Sequence, residues 1–203
     1  KIFNTSVERA KRVLEISEAF GLGLSDKEFV VYDNLVIDVL PTDVVYITGQ
    51  SGSGKSLLLR DLVDQMRAEG KKVTDLNEMT LEEKPIIELI GDSTSEAAEI
   101  LAKAGISDAW IYIRKPSELS DGQRYRLKLA LVMNSDADVW VADEFGAVLD
   151  RVTARVVAFN MSKVARRFGK CLMVATTHTD MIQELAPDLT ITKRFREKVE
   201  IAK

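Results

Sequence analysis

The chain has 203 residues, 46% of them hydrophobic, which suffices for one ordinary domain with a buried core and at most a small second lobe. Its 28 Lys and Arg against 32 Asp and Glu leave a net charge of −4, so no global attraction draws it to nucleic acid or anionic lipid. No apolar stretch approaches the ~20 residues of a membrane span, no signal-peptide pattern opens the chain, and the single Cys171 excludes an intrachain disulfide or cysteine metal cluster. A cytoplasmic location is expected. The chain opens on Lys1 rather than methionine, which reads as a trimmed or excised segment. A fused or associated domain outside residues 1–203 is therefore an expectation as well.

In chain order, residues 1–18 read as a lead-in segment, with a charged helix over 5–19 that ends at Gly21 and Gly23. Phe29 to Tyr32 and Leu35 to Leu40 read as two antiparallel strands around Asp33-Asn34. Val44 to Thr48 is an apolar strand, and Leu57 to Met66 carries apolar residues at 58, 59, 62, 63 and 66, a helical period closed by Gly70. Lys72 to Leu76 is a short strand. Thr80-Leu81-Glu82-Glu83 and Ser93-Thr94-Ser95-Glu96 both fit the S/T-x-x-E capping box, predicting two short helices, the second ending at Gly105. Val139 to Ala142 and Cys171 to Thr177 are further apolar runs of the kind found in buried parallel strands. A buried, inert thiol is the expectation for Cys171. The basic stretches 124–128, 166–170 and 193–196 read as solvated faces, with no direct sign of nucleic-acid binding.

Between the strand at 44–48 and the helix after it, Gly49-Gln50-Ser51-Gly52-Ser53-Gly54-Lys55-Ser56 satisfies G-x-x-x-x-G-K-[ST] at every position. Glycines at these places let backbone N–H groups curl around phosphate oxygens, and Lys55 adds positive charge. The strand–loop–helix context that this motif requires is present. Downstream stand Leu119-Ser120-Asp121-Gly122-Gln123, then Asp143-Glu144 at the end of an apolar run, then Asp150, and the only histidine, His178, after another apolar run.

The order and spacing of these five landmarks resemble the ATP-binding cassette (ABC) ATPases, whose signature reads Leu-Ser-Gly-Gly-Gln; here Asp121 replaces one glycine. The resemblance implies an α/β, P-loop NTPase fold: an ABC-type nucleotide-binding domain with a mostly parallel core sheet, a small antiparallel sheet and a helical lobe. It implies one such domain over 1–203, with the lobe and its signature helix inserted at about 78–135. The interval from Gly49 to Ser120 is short for a transporter subunit, so a reduced lobe is expected.

The resemblance also implies ATP and Mg²⁺ as cofactors and a role for each residue. Gly49, Gln50, Ser51, Gly52, Ser53, Gly54, Lys55, Ser56 and Leu57 would hold the phosphates, with Lys55 on the β- and γ-oxygens. Ser56 and Asp143 would hold the metal, Glu144 would act as general base, and His178 would contact the γ-phosphate and position water. Ser120, Gly122 and Gln123 would face ATP bound to an opposite copy in a head-to-tail homodimer, with Asp150 near its axis. Asp121 is expected to point away and cap its helix. An aromatic ring should stack on adenine; Phe20 resembles it, with Phe29 and Tyr32 as competitors. The family's glutamine between the phosphate loop and the signature is missing, as no glutamine stands between 66 and 119; Asn77, Glu78 or Glu88 are the substitutes.

Within the family, the blocks at 119–126, 143–145, 149–154, 165–167 and 176–180 resemble stand-alone ABC ATPases of archaea and their viruses, some fused to acetyltransferase-like domains. Phe145, where transporters usually carry proline, points the same way. Three functions fit: a soluble Mg-dependent ATPase coupling ATP to dimerisation or partner control, a nucleotide-gated scaffold with negligible turnover, and a transporter's ATPase subunit.

Overall fold

The computed structural model describes residues 2–5, 7–8, 10–22, 27–30, 32, 35–194 and 197–203. Gly23, Asp33 and Asn34 lie outside them, as do Phe195 and Arg196.

Residues Ile2–Thr5 form β1, antiparallel to β2 (Lys27–Val30), and α1 (Lys11–Phe20) runs between them. This corrects the lead-in segment: Ile2–Thr5 is a strand and the helix begins only at Lys11, because pairing along β2 satisfies backbone groups that a frayed helix end would leave open. α1 starts at Lys11 and closes on Gly21, which takes the left-handed conformation (φ 61°). The small antiparallel pair is therefore β1–β2, not 29–32 with 35–40. Residues 35–40 alternate between half-buried and exposed, with Leu35, Ile37 and Val39 against the core, yet they form no strand.

The main sheet contains β3 (Val44–Thr48), β4 (Val73–Asp75), β5 (Val139–Ala142), β6 (Cys171–Thr176), β7 (Leu189–Thr192) and β8 (Glu200–Ala202), in the spatial order β4-β5-β6-β3-β7-β8. All neighbours are parallel except β8, which runs antiparallel to β7. Every residue of β3, β5 and β6 is buried, as a parallel sheet covered on both faces demands. Val45, Ile47, Val141 and Met173 meet Leu58, Leu59 and Val63 of α2 (Lys55–Ala68) on one face. Tyr46, Trp140, Leu172 and Val174 meet the other helices on the opposite face.

Those helices are α3 (Thr94–Lys103), α4 (Ala109–Tyr112), α5 (Asp121–Asn134) and α6 (Arg151–Phe168); α7 (Ile182–Leu185) precedes β7. Ile86, Leu101 and Leu127 share one apolar cluster with Trp140, Phe145 and Val157, so the short lobe packs directly onto the sheet. Ser93 caps α3 by accepting the Glu96 N–H. Thr80 starts no helix, against expectation. Only a 3-10 turn, Ile86–Glu88, follows it, because Pro85 disfavours helical backbone at the residue before it. No helix among the described residues is long and apolar enough to cross a membrane.

Candidate functional site

Because β3, β4, β5 and β6 are parallel, their C-terminal ends open on one edge, where an α/β sheet presents its ligand crevice. β3 delivers the loop Gly49–Ser56, β5 delivers Asp143 and Glu144, and β6 delivers Thr177 and His178. Gly49, Gly52 and Gly54 all have positive φ (141°, 71° and 99°), conformations that side chains resist. Gly54 leads into α2 without a side-chain cap, leaving the first N–H groups of that helix for an anion.

Lys55 is buried, and its amino group donates to the Gln50 carbonyl at 2.7 Å, bridging the loop. Burial pushes its pKa down, with Asp143 and Glu144 opposing the shift. The buried Ser53 hydroxyl has no partner among the described residues, and its N–H donates to the Gln50 carbonyl. Ser51, Gly52, Gly54, Lys55 and Ser56 line a cleft of ≈ 540 Å³ together with Asp143, Glu144 and Thr176–Thr177. Leu57 is half-buried in the first turn of α2. The donor set suits a nucleotide's phosphates. Among the described residues no group of three acidic, histidine or cysteine side chains could hold a metal alone. A hard cation there would take Ser56 and Asp143 and depend on phosphate oxygens for the rest, as magnesium commonly does.

The turn after β5 is held through its main-chain N–H groups. Asp143 Oδ1 accepts the Glu144 N–H at 2.9 Å, and the Phe145 N–H donates to Ala175 O at 2.8 Å. Proline at 145 could not make the second bond. Glu144 has φ 51°, unusual for a residue with a side chain. Asp150 caps α6 through the Thr153 N–H. The His178 carbonyl accepts from the Tyr46 and Thr48 hydroxyls and its N–H donates to Thr176 Oγ1, so the backbone there is anchored, but the residue does not line the cleft.

The other expected residues stand apart. Phe20, at the end of α1, is 73% exposed and lines no part of the cleft, while the competitor Tyr32 donates its hydroxyl to Asp61 of α2. The side chain of Phe29 is not described. Ser120, Gly122 and Gln123 begin α5, outside the cleft. The Ser120 hydroxyl accepts the Gln123 N–H and the Gln123 side chain accepts the Ser120 N–H, a reciprocal capping box. This corrects the expectation for Asp121: Ser120 is the cap, and Asp121 is a first-turn residue, 88% exposed and 3.8 Å from Arg124.

Two residues escaped the sequence reading. Asp75 ends β4, the strand beside β5, and burial raises its carboxyl pKa, with the Asn77 N–H opposing and Asp143 contributing. An acid closing a short strand before the signature was the available signal. The other is Tyr125, which joins α5 to the turn after β5 and which no motif marks. Of the proposed glutamine substitutes, Glu78 is paired with Arg67 at 2.6 Å. The basic residues at 124–126 serve locally, Arg124 donating to Leu119 O and Arg126 to Gly105 O. Cys171 is buried and its thiol pushed up to about 12.

A glycine-rich loop between the central strand and a helix N-terminus, facing carboxylates delivered by a strand of the same sheet, places the molecule among the P-loop nucleotide-binding α/β proteins. The family model described as ABC transporter matches residues 70–147. The cytochrome c biogenesis ATP-binding export protein CcmA of Colwellia psychrerythraea is 28% identical over 199 residues, covering 85% of this chain and 89% of that protein. The aliphatic sulfonates import ATP-binding protein SsuB 2 of Rhodococcus jostii is 28% identical over 191 residues, covering 85% and 75%. For the methionine import ATP-binding protein MetN of Bradyrhizobium diazoefficiens the identity is 30% over 100 residues, and the match spans 49% of this chain and 28% of that protein. Among solved structures, the dimeric post-hydrolysis state of the ATP-binding cassette MJ0796 bound to ADP and Pi superposes with a TM-score of 0.65 at 18% identity, over 88% of this chain and 93% of that one. The family model and these relatives support an ABC ATPase, and the solved structures share its fold.

Proposed function

We propose that this chain binds MgATP in the cleft between the Gly49–Ser56 loop and the end of β5, and that Glu144 is the general base of a slow hydrolysis by water. Lys55 and the loop N–H groups would hold the phosphates, Ser56 and Asp143 the metal, and His178 the attacking water's orientation. The observation that carries this reading is the convergence of Lys55, Ser56, Asp143 and Glu144 on one cleft. When bound, the magnesium ion would offset charge developing on the phosphate oxygens.

ATP would also assemble two copies head to tail, Ser120, Gly122 and Gln123 of each facing the nucleotide of the other, with Asp150 near the axis. The separation of Ser120 from the cleft supports this, since a second copy can bring them together, and MJ0796, of like fold, is described as dimeric. We read residues 1–203 as one ATPase domain with its helical lobe at about 78–135, acting as a stand-alone enzyme. The export and import proteins among the relatives favour a second reading, an ATPase subunit of a transporter.

Steady-state phosphate release and sedimentation test the first reading. Glu144→Gln should suppress turnover and sediment as a dimer only with MgATP. Unchanged phosphate release would refute the base. A monomer at saturating ATP and high protein concentration would refute the homodimer.

A further inference from the structure

We propose that Tyr125 is a positioning residue for hydrolysis, acting through the turn that carries Glu144. The proposal rests on Glu144 being the base. Tyr125 lies on α5, in the helix that Ser120 caps, and its hydroxyl accepts the N–H of Gly146, two residues beyond Glu144, at 2.9 Å. Burial raises the phenol's pKa well above its ordinary value, against the effect of the Gly146 N–H, so the group remains a neutral hydroxyl at working pH.

The turn needs such an anchor. Glu144 and Gly146 both have positive φ, 51° and 76°. A β-carbon on Gly146 would stand 3.1 Å from Met181 Cε and 3.2 Å from Ala154 Cβ, so a side chain there would press on both neighbours as well as resist the positive φ. Strained backbone of this kind persists where its surroundings over-determine it. The Asp143 carboxylate and the Ala175 carbonyl provide two fixed points, both from the sheet strands or their ends. Tyr125 provides a third, and this one comes from α5. The two segments also pass close together at Gly122, where a β-carbon would lie 3.5 Å from Val148 O and 3.7 Å from Leu149 Cδ2, in the stretch leading to Asp150. The end of α5 that would read a partner's nucleotide and the turn that would aim the base at its own are thus tied by the Tyr125 hydroxyl, beside a close approach at Gly122.

The test is Tyr125→Phe, which keeps the ring and removes the acceptor. Phosphate release, affinity for N-methylanthraniloyl-ATP and Tm are measured on the full chain, with amide exchange of the 144–150 segment. Expected are a fall in kcat of about tenfold with KM and analogue affinity unchanged, and exchange in that segment at least about tenfold faster while α2 is unaffected. On the Glu144→Gln background, Tyr125→Phe should reduce the residual turnover no further. A kcat per folded molecule within about twofold of the parent, or an equal tenfold loss on the Glu144→Gln background, overturns the proposal and leaves a purely structural hydrogen bond. If Glu144→Gln itself retains full turnover, it is the assignment of the base that fails.

Discussion

The main-chain oxygen of Lys193 occupies the space that a side chain at Gly49 would need, 1.8 Å from an ideal β-carbon there. The Lys193 N–H donates to Thr48 O at 2.8 Å, and its buried amino group donates to the carbonyls of Arg194 and Glu197. The end of β7 therefore closes against the base of the phosphate loop. Gly49→Ala combines that collision with a positive φ, and it should destabilise the protein by about 3 kcal/mol and abolish ATP binding. Urea unfolding checks it. A loss below about 0.5 kcal/mol, the range of an indifferent surface change, would show that the two segments separate easily.

Lys55→Met keeps most of the side chain's bulk and removes its charge. ATP affinity, measured by equilibrium dialysis, should fall by about 100-fold, the scale of a lost charge-assisted contact. Since burial lowers the pKa of Lys55, the free protein should lose affinity on the alkaline side earlier than an ordinary lysine would dictate. Retained affinity in Lys55→Met would remove the phosphate-loop assignment.

With Ser120 as the cap of α5, the two signature positions separate cleanly. Ser120→Ala should cost about 1 kcal/mol of stability, whereas Asp121→Gly should change ATP-dependent dimerisation by less than about tenfold. Analytical ultracentrifugation over a range of ATP concentrations measures the second effect. Dimerisation strengthened beyond tenfold would make Asp121 an electrostatic brake.

Acid stability should depend on Asp188. Burial pulls its carboxyl pKa up, but the Val44 N–H at 2.8 Å and Arg166 at 2.9 Å more than offset this, leaving it below its ordinary value. A folded pKa below the unfolded one contributes stability that is present above about pH 4 and lost as pH falls through the folded value. Asp188→Asn should lower Tm at neutral pH and flatten the decline below about pH 4. A wild-type and a mutant curve that run parallel through that range would exclude this linkage.

The phosphate loop, the acidic pair after β5, the buried parallel strands and the helix closed by Gly70 were all legible in the linear order of residues, because each follows from contacts among near neighbours: a turn's φ angles, a strand's continuous apolar run, a helix's period. The cassette class followed from their succession. Pairing across distance was not legible. Nothing local in Ile2–Thr5 says that it will find Lys27–Val30, and the alternation at 35–40 orients side chains without supplying a strand to bond to. Asp121 looked like a cap until the helix start placed Ser120 there. The carbonyl of Lys193 against Gly49, Asp75 beside the strand of Asp143 and the hydroxyl of Tyr125 on Gly146 depend on which strands are neighbours and on how α5 lies against the sheet. Burial and hydrogen bonding at those points are set by packing between distant segments, and only the tertiary structure decided them.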